Sequence, residues 1–92
     1  MPHYFLDVAN SQITSQDEVG REFADLEAAR AEAIGGIRSI LRDELLEGKL
    51  DLNGAVRILD ADRQLVLSVP YADAVTILPP DSEEPPPRSN SK

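Results

Sequence analysis

The stretch Asp25-Leu26-Glu27-Ala28-Ala29-Arg30-Ala31-Glu32-Ala33-Ile34-Gly35-Gly36-Ile37-Arg38-Ser39-Ile40-Leu41-Arg42-Asp43-Glu44-Leu45-Leu46-Glu47-Gly48 decides the fold class. Asp25 is a strong N-cap residue, because its carboxylate can accept from the free amides of a first helical turn, and Glu27 adds negative charge at the positive end of the helix dipole. Leu26, Ala29, Ala33, Ile37, Ile40, Leu41 and Leu45 recur in steps of three and four, which makes one apolar stripe. Gly48 is suited to the left-handed residue that closes a helix. The spacing therefore predicts one long helix with a single buried face. Gly35-Gly36 interrupts it at a cost of about 1 kcal/mol per glycine. That pair reads as a close approach to a sheet or a mild kink, with a hinge or ligand contact as the alternative.

Working outward, His3-Tyr4-Phe5-Leu6-Asp7-Val8 alternates with a period of two, so residues 3–8 are predicted as a strand with Tyr4, Leu6 and Val8 on one face. Gln12-Ile13-Thr14 is its weak hairpin partner, and Asp17-Glu18-Val19-Gly20 reads as a turn. After the helix, residues 55–60 and 64–69 form a hairpin around Ala61-Asp62-Arg63, with Val56, Ile58, Leu65, Leu67 and Val69 inward. Pro70 should end or bend its second strand, and residues 73–78 make either a last short strand or an irregular cover. The expected architecture is α+β: a small, mostly antiparallel sheet with one helix on one face, in the order β-β-α-β-β, spanning residues 1–78. Residues 79–92, rich in proline and acid, have no apolar residue outside proline and are predicted to be a disordered tail.

Helix cover on one side leaves the other sheet face as the surface to watch. Phe5, Leu59 and Val66 have the opposite parity from the core set, and an outward apolar patch marks association, so a homodimer is expected. Tyr71 and Asp73, behind Pro70, extend that candidate interaction surface, because a proline-stiffened turn presents an aromatic ring at low entropic cost. The competing reading is that Tyr71 caps the core.

Seventeen acidic residues against nine basic ones give a net charge of −8. That balance repels phosphate backbones and anionic lipid, so nucleic acid and membrane are not expected partners. No apolar run approaches the ~20 residues of a membrane-spanning helix. The first residues lack the basic and apolar regions of a secretory signal, so the expected location is cytoplasmic. The chain has no cysteine, which removes disulfides, thiolate nucleophiles and cysteine-ligated metals.

Pro2-His3-Tyr4-Phe5-Leu6, the block from Asp17 through Gly20-Arg21-Glu22-Phe23-Ala24-Asp25-Leu26 to Ala33, and Val69-Pro70-Tyr71-Ala72-Asp73-Ala74-Val75 together resemble a family of short bacterial proteins catalogued as domain of unknown function 6894. The resemblance covers residues 2–78 and implies domain boundaries, not an activity. Family members usually carry glycine where this chain has Arg63. A positive-φ turn there would cost about 1 kcal/mol, or else the turn is of a different type.

The remaining motifs are weak. Asp60-Ala61-Asp62 offers a hard cation two carboxylates without the rest of a calcium loop, and its bland reading is a turn whose aspartates bond their own backbone. His3, the sole histidine, has no nucleophile elbow or oxyanion loop to serve. Asp17, Glu18 and Glu22 read as a solvated acidic cluster ahead of the helix. Gly35-Gly36 lacks the context of a phosphate cradle. No catalytic residue, cofactor or metal site is therefore assigned. The expected function is a non-enzymatic protein-interaction or regulatory module. A small-ligand binder with a pocket near Gly35-Gly36, and an enzyme using acidic residues with His3, are the alternatives.

Overall fold

The computed structural model describes residues 1–11 and 14–80. Its elements are β1 (His3–Asn10), β2 (Thr14–Ser15), β3 (Arg21–Glu22), α1 (Leu26–Leu46), β4 (Gly54–Leu59), β5 (Leu65–Pro70) and a 3-10 turn, Tyr71–Ala74. All strand pairings are antiparallel, in the order β2-β1-β4-β5, with β3 pairing the start of β1. The fold is α+β, one helix packed on one face of a small sheet. β3 is an addition to the expected order. It amounts to two residues, and its partner His3-Tyr4 is distant in sequence, so no local pattern announces it.

Asp25 caps α1 as its chemistry requires, its Oδ1 accepting from the Ala28 amide at 2.9 Å. At the other end Gly48 takes φ +82°, and the amides of Gly48 and Lys49 donate to the carbonyls of Leu45 (2.9 Å) and Glu44 (3.0 Å). Those crossed bonds satisfy carbonyls that would otherwise be orphaned at the helix end. Ala29, Ala33, Ile37 and Leu41 are buried against Val56, Ile58, Val69, Tyr71 and Ala74. Leu45, expected on the same stripe, is 56% exposed. The buried positions of α1 end at Leu41, so the last turn of the helix adds nothing to the core.

The close approach to the sheet expected as one reading of Gly35 and Gly36 is not found. Both are exposed within an uninterrupted helix, and a Cβ added at either would meet no atom within 4 Å. No close approach to the sheet explains them, and no packing contact requires glycine.

The hairpin expected from residues 55–69 forms, with a register shift. Ile58 pairs with Leu67 but Leu59 pairs with Leu65, so Val66 is the extra residue of a bulge. The bulge reverses the parity beyond it. Leu65, expected inward, is 51% exposed and stands outside the core, while Leu67 packs against it. Pro70 is the last residue of β5, opposite Ala55. Residues 73–78 form no strand; the 3-10 turn buries Tyr71 and Ala74, and irregular chain follows. Of the weak hairpin partner, Thr14 pairs with Ala9 in β2, while Gln12 and Ile13 lie outside the described residues. The expected tail falls on residues 81–92, also outside them, apart from Pro79 and Pro80.

Candidate functional site

The two lateral edges of the sheet are built differently, and that difference starts with β1. One side of β1 pairs with β4 from Phe5 to Asn10. The other side holds β3 at His3-Tyr4 and β2 at Val8-Ala9, with a gap between them. Asp17 fills the gap. Its Oδ2 accepts from the Leu6 amide at 3.1 Å, its Oδ1 accepts from the amides of Gly20 (2.9 Å) and Val19 (3.3 Å), and its own amide donates to Asp7 Oδ1 at 2.8 Å. A carboxylate thus takes the place of a strand's carbonyl and closes this edge. Burial pushes the Asp17 carboxyl up, but donation from Gly20, Leu6 and Val19 and the charge of Arg63 outweigh it and hold the pKa below the ordinary 3.8.

The segment held by Asp17 runs beside the outer edge of β1 and packs against the His3 and Phe5 side chains. Gly20 has φ +71°, and a Cβ there would lie 2.5 Å from His3 Nε2 and 2.9 Å from the Phe5 ring, so both conformation and space demand glycine. His3 stands edge-on to Phe5 with ring centroids 5.2 Å apart, and its Nε2 is 3.0 Å from the Val19 carbonyl oxygen.

Arg63 completes this second small cluster from the β4-β5 turn. Its guanidinium lies 4.1 Å above the Phe5 ring, donates from one terminal nitrogen to the Asp17 carbonyl at 2.6 Å and places the other 3.6 Å from Asp7 Oδ2. Arg63 is held at φ +63°, the conformation in which glycine would be unstrained. A stacked cation is worth about 0.5–2 kcal/mol and a hydrogen bond about 1, which offsets a left-handed cost of 1–2. The turn itself is set by Asp60, whose Oδ1 accepts from the amides of Asp62 and Gln64, both at 2.9 Å. That carboxylate is occupied by its own backbone.

A family model described as Domain of unknown function (DUF6894) matches residues 3–72, which include His3, Phe5, Asp7, Asp17, Gly20 and Arg63. The chain belongs to the DUF6894 family. No curated protein and no solved structure matches it.

Within this DUF6894 domain the expected interaction residues do not form one surface. Phe5 is half-buried beneath Arg63 and Gly20, and Leu59, its neighbour on β4, is 9% exposed. Tyr71 is 1% exposed and belongs to the core, its hydroxyl accepting from Asn10 Nδ2 at 3.1 Å. Val66 is open at the sheet edge, and Asp73 is open in the 3-10 turn beyond β5. Leu65 joins Val66 because of the bulge.

Asp17 and Arg63 are the organising residues that sequence reasoning missed. Asp17, read as part of a solvated cluster, is half-buried, whereas Glu18 and Glu22 are exposed. The signal for Asp17 was its spacing from Gly20, since an aspartate three residues before a glycine bonds the intervening amides. Among the described residues no serine joins His3: Ser68 lies two strands away, opposite Arg57. A cleft of about 280 Å³, lined by Leu6, Asp17, Gly20, Arg21, Phe23 and Glu32, lies away from Gly35-Gly36. Its polar groups are already engaged: Arg21 pairs with Glu32 at 3.1 Å and Asp17 with three amides. Among the described residues no group of three metal-ligating side chains is clustered, and no helix is long and apolar enough to cross a membrane.

Proposed function

We propose that this domain is a non-enzymatic protein-interaction module whose contact element is the free edge of β5, where a partner adds an extended strand. One observation carries the reading: β1's outer edge is closed by β2, Asp17 and β3, while β5 has no strand beyond it among the described residues. An unpaired edge is a template for another chain, and folded proteins blunt edges that are not used. Among the described residues β5 is blunted by its bulge and by Pro70. It has no charged side chain, and Leu65 and Val66 are 51% and 42% exposed.

The alternatives have less support. The cleft beside Asp17 offers a small ligand no polar group that is not already paired, and His3 faces a carbonyl oxygen and an aromatic edge rather than a nucleophile.

Site-specific photo-crosslinking in the producing cell tests the proposal. A benzophenone side chain at Val66 should give a discrete protein adduct that the same group at Gly35, on the exposed helix surface, does not give. No adduct at Val66, or the same adducts from both positions, would contradict it. An adduct of twice the chain's mass would identify the partner as a second copy.

A further inference from the structure

We infer that the strand added to β5 is an extended segment of a different protein, carrying basic residues at both of its ends. The inference rests on β5 being the contact element and adds the chemistry of the occupant. Asp62, in the turn before β5, and Asp73, in the 3-10 turn after it, are exposed, and neither is ion-paired among the described residues. β5 itself, Leu65 to Pro70, is uncharged, and Arg63 is the one charged residue between the two aspartates. The edge is therefore an uncharged strip, apolar except for the exposed Ser68, with a carboxylate in the turn beyond each end.

A second copy fits this pattern poorly. Antiparallel self-pairing of β5 reverses one strand, so the Asp62 end of each copy meets the Asp73 end of the other, placing acid against acid at both ends. Like charges directly opposite destabilise a strand pair, and each chain brings a net charge of −8. Two arginines oppose this field. Arg57 is exposed on β4 opposite Ser68, and Arg38 donates to the Ala74 carbonyl at 2.7 Å, close to Asp73. Arg63 is balanced by Asp7. The discrimination is therefore modest and salt-dependent, the regime of exposed ion pairs.

Three peptides with the same alternating valine-threonine core, ended by lysines, serines or glutamates, can be titrated into the full chain and read by amide NMR shifts on β5. At low salt the lysine-ended peptide should bind about tenfold tighter than the glutamate-ended one, with the preference shrinking in high salt. Asp62→Lys with Asp73→Lys should reverse the order. Equal binding of all three would overturn the inference while leaving the edge reading intact. Failure of all three to shift β5, together with concentration-dependent dimerisation that protects β5, would overturn both the inference and the argument against a second copy.

Discussion

Replacing Asp17 by alanine should destabilise the domain by about 3 kcal/mol, because three backbone amides lose their acceptor at once and each stranded donor costs about 1–3 kcal/mol before water or rearrangement relieves it. In a domain of this size that corresponds to a fall in Tm of roughly 12–24 °C. Asp17→Asn keeps one acceptor oxygen and should lose less. The effect has a pH signature. The folded-state pKa of Asp17 lies below its unfolded value, so its contribution is fully present above the ordinary 3.8 and is lost as pH falls through the lower folded value. Thermal melts from neutral pH down to about 2 should show the difference between native chain and Asp17→Ala shrinking through that acid range. A difference that stays constant to pH 2, or a variant as stable as the native chain at pH 7, would contradict the role given to Asp17.

A change of opposite sign is expected on the helix. Gly35→Ala with Gly36→Ala should stabilise the domain by about 1–2 kcal/mol, since each alanine reduces the conformational freedom of the unfolded chain and meets nothing in the folded one. Tm should rise by roughly 4–16 °C. A loss of stability would show that the glycines serve a bend or a contact beyond the open space around them.

Asp25 and Gly48 made α1 legible from sequence because cap chemistry is local: a carboxylate beside free amides and a glycine where φ must be positive need no knowledge of the rest of the fold. The β4-β5 hairpin was legible for the same reason, its strands being close in sequence. Legibility failed where a single residue alters a long-range relation. The extra residue at Val66 reverses the face of Leu65, and nothing in the alternation of residues 64–69 marks where the bulge falls. Tyr71 reads either way in sequence, because the turn that buries it against Asn10 and Gly54 is set by contacts distant along the chain.

The outer sheet face shows the same limit at the candidate site. Phe5 does have the outward parity that its position implies, yet Arg63 and Gly20 cover it from two segments distant in sequence. Arg63 stood out in sequence as a bulky residue in a turn where glycine was expected, but its cation contact with Phe5 and its bond to Asp17 depend on the tertiary fold. The expected apolar patch therefore contracts to the margin of β5, where Leu65 and Val66 remain open.

Residue-resolved amide hydrogen exchange on the isolated chain tests most directly the contrast between a closed edge at β1 and an open edge at β5. The Leu6 amide should be strongly protected by Asp17, while alternate amides of β5, those directed away from β4, should exchange at nearly unprotected rates. Uniform protection along β5, or rapid exchange at Leu6, would contradict the account.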